Sequence, residues 1–147
     1  MQVQVASDRL GVASATKMCR SVMIKGLEAL VIEGFTAARH YGVEHAMIAT
    51  LQETFPSIDW PAQAAYFYSR VAQHGQRRAE EMREVARTVA EAGFEPLMAR
   101  AIADKDDWMA AQRRVGAFGG VSDPAVWQQW ADALLAARRS GDDPLSR

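Results

Sequence analysis

Residues 12–41 read VASATKMCRSVMIKGLEALVIEGFTAARHY, a run without proline and rich in Ala, Leu, Met, Glu and Lys. These residues lose little side-chain freedom in a helix. Met23, Leu27, Leu30 and Gly34 recur at i, i+4, i+7 and i+11, with Val22, Ala29 and Glu33 on another side, so the period is helical. Gly42 follows Tyr41 as a stop, and Arg39 and His40 stand in the last turn, where cations suit the helix dipole. At 1.5 Å per residue this is a rod of roughly 45 Å. Such a length makes the helix central, touching several neighbours or bridging two units. Gly26 and Gly34 are either points of close backbone approach or simply tolerated glycines.

Working outward, the remainder reads as five further helices. One runs over 44–54, before Pro56. The next starts at Asp59 as N-cap with Pro61 in the first turn and ends at Gln73, before Gly75. Others span 77–91, stopping at Gly93, and 96–114, ahead of the turn Gly116-Ala117-Phe118-Gly119-Gly120. The last has Asp123 as N-cap and Pro124 at its first position and continues to Arg139. Short connections between amphipathic helices predict an all-α bundle of about six helices around one long N-terminal helix. Residues 2–6 alternate in the manner of a strand, closed by Asp8 and Gly11, and a lone strand has no neighbour to pair with in such a chain. The tail from Gly141 is expected to be disordered.

The chain has 147 residues, 49% of them hydrophobic and 24% charged, a balance that fits one globular domain. A net charge of −1 supplies no general field for nucleic acid or an anionic membrane. No apolar run approaches the roughly 20 residues needed to span a bilayer. With one cysteine, Cys19, and no leader pattern, a cytoplasmic location is expected.

Five polar residues of the long helix, Ser14, Lys17, Ser21, Lys25 and Glu28, fall within a sector about 80° wide, with Arg20 just off its edge. Either this is a solvated face or it is a site near one end of the rod. As a site it has a definite chemistry. A lysine beside small hydroxyls and apolar walls can exchange protons near neutral pH. Lys17 would take the proton of a substrate alcohol or return it to an alkoxide. Ser14 and Ser21 would hold the substrate, and Arg20 would face a carboxylate.

Cys19 points about 200° away from Lys17 and reads as a packed thiol. His40, His45 and His74 belong to no zinc-like spacing, so no metal is assigned. The arginine pairs Arg77-Arg78, Arg113-Arg114 and Arg138-Arg139 read as a salt-bridged solvent face or a subunit contact, since Arg77 and Glu81 are i, i+4. The glycines at 116, 119 and 120 follow no strand and read as a linker. Trp127 and Trp130 would anchor the last helix to the bundle or to a second subunit.

The run Gly11-Val12-Ala13-Ser14-Ala15-Thr16-Lys17-Met18-Cys19 resembles the start of the long interdomain helix in the 3-hydroxyacid and 6-phosphogluconate dehydrogenase superfamily. The stretch from Lys17 to Leu30 and His74-Gly75-Gln76-Arg77-Arg78-Ala79-Glu80-Glu81-Met82 resemble a poorly characterised branch, described as a phosphogluconate dehydrogenase-like C-terminal domain. The resemblance covers roughly residues 1–112. It implies that Lys17 matches the catalytic lysine, that Ser21 stands where a substrate-binding Asn usually lies, and that Arg20 takes the neighbouring position. Ala13 replaces the second glycine of the turn, and Glu80 appears where a lysine commonly faces the cofactor. Both departures argue against ordinary 3-hydroxyisobutyrate or 6-phosphogluconate specificity.

The resemblance also implies NAD or NADP, bound on an N-terminal Rossmann domain with Gly-x-Gly-x-x-Gly after a first strand. No such pattern occurs here. Residues 1–11 are therefore expected to be the remnant strand and turn of that domain, 12–139 the helical substrate-binding and dimerisation domain, and 140–147 a tail. On this expectation the chain is a cut piece, a truncated gene product or one partner of a split enzyme, inactive in hydride transfer alone. Its partners would be a second copy, a Rossmann domain and a small anionic hydroxylated substrate. The alternative is a non-catalytic helical interaction or ligand-binding module.

Overall fold

The computed structural model describes residues 11–139 and is all-α. Five helices follow in order: α1 Val12–Tyr41, α2 Glu44–Thr54, α3 Trp60–Glu91, α4 Leu97–Arg114 and α5 Trp127–Arg139. The strand expected at residues 2–6 and the tail at 140–147 lie outside the described residues. α1 begins and ends where its sequence pattern places it. Gly42 takes φ 70°, the left-handed conformation that a Cβ disfavours, and its N–H returns to the Arg39 carbonyl. Asp59 caps α3 by accepting from the Ala62 N–H at 3.2 Å.

Five helices stand where six are expected, because the segments on either side of Gly75 form one helix. His74 departs from helical geometry (φ −126°, ψ 19°) and kinks α3 without ending it. Packing explains why a glycine is found here inside a helix. A Cβ on Gly75 would lie 2.7 Å from the Asp106 carbonyl oxygen and 3.2 Å from the Ala110 N, so its absence lets α3 and α4 touch backbone to backbone. The last helix also starts later than expected, at Trp127. Asp123 does not cap it, because its carboxylate accepts from Ser69 Oγ at 2.5 Å and Gln73 Nε2 at 2.7 Å on α3.

α1 packs antiparallel to α3, and α3 pairs extensively with α4. Two apolar clusters result. One gathers Val31, Ile32 and Phe35 of α1 with Trp60, Tyr68 and Val71 of α3, Met109, and the tryptophans of α5. Trp127 meets Phe35 edge-on at 5.0 Å, so the two tryptophans do anchor the last helix to the bundle. The other cluster gathers Ala29, Met82, Val85, Ala99 and Ile102, with Met18 and Val22 against it. Arg39 ties the end of α1 to its neighbours through Glu44 at 2.8 Å and both Asp132 carboxylate oxygens at 2.9 and 3.0 Å.

One side-chain expectation is corrected. Cys19 is an exposed free thiol rather than a packed one, because Met18 and Val22 on its flanks take the contacts with α3. The row Met23, Leu30 and Gly34 does not enter the core. The buried face of α1 is instead Ala29, Val31, Ile32, Phe35 and Ala38, and Met23 and Leu30 keep 72% and 59% of their surface exposed.

Candidate active site

The first turns of α1 place Ser14, Lys17 and Arg20 in solvent and Ser21 half-buried. Met18 and Val22, on an adjacent face, fasten this end to α3, where Thr88 Oγ1 donates to Met18 Sδ at 2.7 Å. Lys17 has no ion pair or hydrogen bond among the described residues, so its amine is open to a ligand. The four residues singled out from the sequence thus share one exposed helix end. Among the described residues nothing closes over them.

The same stripe changes character two turns on. Lys25 Nζ pairs with Glu81 Oε2 at 2.6 Å, and Glu28 Oε2 with Arg78 Nη2 at 2.8 Å. Glu28 and Arg78 retain only 2% and 8% of their surface. The solvated-face reading therefore fails for Lys25 and Glu28, which are turned towards α3. The solvent-face reading of the arginine pairs likewise fails for Arg78. Arg77 does keep it, with Glu81 at 3.8 Å.

Asp106 on α4 completes this polar layer. It is 1% exposed, and neither carboxylate oxygen has a hydrogen-bond partner among the described residues. Along each helix the layer falls between the two apolar clusters: Glu28 beside Ala29 and Val31, Arg78 between Ala72 and Met82, Asp106 between Ala103 and Met109. Burial, reinforced by the nearby Glu28 carboxylate, pushes the Asp106 carboxyl from 3.8 up to about 7. Burial also raises Glu28, against the pull of Arg78 and Lys25. Hydrogen bonding from Lys25 holds Glu81 below its ordinary value.

An acid raised on folding makes the native state bind more protons than the unfolded chain, so its contribution falls as pH rises. For Asp106 that contribution is complete below about pH 4 and lost by about pH 7, a change of about 4 kcal/mol. Asp106→Asn is expected to remove most of this decline. Urea unfolding at pH 5 and pH 8 checks it, and an equal decline in both proteins would refute the assignment.

Elsewhere, a cleft beside the α3 kink is lined by His74, Arg77, Glu80, Arg113 and Arg114. Arg113 Nη1 donates to the Gln73 carbonyl at 2.7 Å. Burial and the surrounding arginines, Arg70 and Arg77 first, lower the His74 pKa. Among the described residues no group of three or more His, Cys, Asp or Glu could hold a metal ion, and no helix is long and apolar enough to cross a membrane.

Comparison with known proteins bears on this domain. The profile of DUF1932, a domain of unknown function, matches residues 38–109. The chain is 40% identical to a conserved hypothetical protein from Sinorhizobium meliloti 1021, with a TM-score of 0.77, over 89% of this chain and 42% of that one. It is 36% identical to the conserved protein MTH1747, of unknown function, whose structure is described as similar to 3-hydroxyacid dehydrogenases. That match has a TM-score of 0.61 and covers 71% of this chain and 40% of the other. An uncharacterized 28.5 kDa protein in the 7S RNA 5′ region of Methanothermus fervidus is 29% identical over 99 residues, 65% of this chain and 38% of that protein. The chain thus spans about two fifths of the length of each of these relatives. Residues 38–109 thus match a DUF1932 domain, and the chain is similar to the C-terminal helical domain of 3-hydroxyacid dehydrogenase-like proteins, in a branch of unknown function.

Proposed function

We propose that this chain is the substrate-binding and dimerisation domain of an NAD(P)-dependent 3-hydroxyacid dehydrogenase-like oxidoreductase of the cytoplasm. The observation that carries the reading is Lys17 itself: an amine with no ion pair among the described residues, at the exposed start of the long helix, with Ser14 and Ser21 one turn to either side. The similarity to 3-hydroxyacid dehydrogenases supports it. In this reading residues 12–139 are the working domain, 1–11 the end of a nucleotide-binding unit and 140–147 a tail.

The described residues do not fit a dinucleotide. They include no β-strand, and the glycines at 116, 119 and 120 join two helices rather than following a strand. The cofactor, which supplies the hydride chemistry, therefore belongs to a separate Rossmann unit. The helical domain contributes the proton. Neutral Lys17 Nζ accepts the hydroxyl proton of the substrate during oxidation, and the ammonium returns it to the oxygen in reduction. Ser14 and Ser21 hydrogen-bond the substrate, and Arg20 pairs with its carboxylate.

The test is an assay of the chain together with a nucleotide-binding domain. NAD+ and NADP+ are supplied with a panel of small 3-hydroxy acids, and reduced nicotinamide is expected with at least one of them. No reduction across the panel would overturn the proposal.

A further inference from the structure

Beside the kink of α3 lies a cleft of about 520 Å³, lined by Gln73, His74, Arg77 and Glu80 of α3 and by Arg113 and Arg114 at the end of α4. It is built from two runs of sequence that the reaction proposed above does not use, His74-Gly75-Gln76-Arg77 and Arg113-Arg114. Gly75 brings the two helices together here, since a Cβ at that position would collide with the Asp106 carbonyl oxygen. Cations from two helices are thereby gathered around one opening.

Their charges do not cancel. Three arginines line the cleft against a single carboxylate, Glu80. Carboxylates next to this stretch are engaged: Glu81 pairs with Lys25 at 2.6 Å and stands 3.8 Å from Arg77, and Asp123 accepts from Ser69 and Gln73. Arg113 is instead oriented by a neutral partner, donating through Nη1 to the Gln73 carbonyl at 2.7 Å. Its other N–H donors, and all those of Arg114, have no partner among the described residues. Burial and the arginines Arg70, Arg77, Arg78 and Arg113 lower the His74 pKa, so a neutral imidazole lies among guanidinium groups.

Planar guanidinium forks match phosphate oxygens in pairs, and a phosphomonoester brings close to two negative charges at neutral pH. The cleft has the size of a small-ligand site, and Ala72 and Ala110 give it an apolar wall for an organic group. Nucleic acid fits less well, because these cations surround one opening on a chain whose net charge is −1. We infer that the cleft at the α3 kink binds a small phosphomonoester, with Arg77, Arg113, Arg114 and His74 around its phosphate. The site is separate from the candidate active site. Met18 with Thr88, Lys25 with Glu81 and Glu28 with Arg78 set the register of the antiparallel pair α1 and α3. His74 then lies opposite about residue 30 of α1, roughly 20 Å along the rod from Lys17. A ligand held there ties α3 to α4 whatever the role of Lys17.

The test titrates the whole 147-residue chain with glycerol 3-phosphate and with inorganic phosphate, at an ionic strength fixed with sodium chloride. Calorimetry and the proton NMR signals of the three histidines are followed. Saturable one-to-one binding is expected, tighter for the ester, with the His74 ring signals moving and those of His40 and His45 still. Arg113→Gln combined with Arg114→Gln, both at exposed positions, should keep the helical circular dichroism and weaken binding by roughly 10-fold or more. Glu80→Gln removes the opposing carboxylate and should tighten binding by roughly 2- to 5-fold, a gain that misfolding cannot produce. Arg20→Ala should leave binding unchanged. Absence of saturable binding, or equal binding by the double arginine variant, would overturn the inference. Loss of binding in Arg20→Ala would overturn it by placing the phosphate at the start of α1. A DNA duplex that displaces the ester through the same arginines would overturn it in favour of a nucleic-acid surface.

Discussion

Replacing Lys17 by alanine, in the chain assembled with a nucleotide-binding domain, is expected to lower turnover by about 100- to 10,000-fold, the usual span for losing a positioned acid–base group. Substrate binding should change much less, because in this reading Ser14, Ser21 and Arg20 hold the substrate. Lys17→Arg should not restore activity, since a guanidinium keeps its proton across the working range. A small added amine should restore part of the activity to Lys17→Ala. A merely structural role would show no such rescue. Folding is not at stake, because the side chain is exposed and bonds to nothing among the described residues. Unchanged turnover in Lys17→Ala would remove this residue from the reaction.

Arg78→Met is expected to destabilise the fold by about 3–5 kcal/mol at neutral pH. Arg78 and Glu28 meet at 2.8 Å in a layer almost closed to water, so removing the guanidinium strands a buried carboxylate beside a second carboxyl, Asp106. The variant must either keep that charge unpaired or protonate Glu28. Its loss of stability should therefore shrink as pH falls. The double variant Glu28→Gln with Arg78→Met removes both charges and should recover most of the loss, because desolvating an ion pair costs about as much as the pair returns. Urea unfolding of the four proteins measures the coupling. A loss below about 1 kcal/mol in Arg78→Met would show that the pair is not buried as described. Set against typical stabilities of about 5–15 kcal/mol, an effect of the expected size leaves a folded but weakened protein.

Some of this layer was visible in the row patterns. Asp106 continues the apolar row Ala99, Ile102, Ala103, and the row resumes at Met109 and Ala110. Arg78 likewise interrupts the row that runs from Val71 and Ala72 to Met82, Val85 and Ala86. A charge at a core position of its own helix is a local signal. The sequence does not say whether that charge is paired, because Glu28, Arg78 and Asp106 come from three helices far apart in the chain. The Gly75 pattern misled for a related reason. Glycine commonly ends a helix, but here it is needed for close approach to the Asp106 backbone, and the helix continues past the kink at His74.

What the sequence determined by itself was local. The span of α1, its stop at Gly42, the Asp59 cap of α3 and the all-α class follow from propensity, capping and period, which act within a few residues. The co-location of Ser14, Lys17, Arg20 and Ser21 on one helix end also follows from the period alone. The tertiary structure decided which of two apolar faces of α1 enters the core. Period shows that both Met23–Leu30–Gly34 and Ile32–Phe35 are rows, but only the position of α3 and α5 makes the second row the buried one. It also divided one polar stripe in two, leaving Lys17 in solvent and burying Glu28 against Arg78. Burial is a property of what packs against a side chain, and those neighbours lie some 50 residues away along the chain.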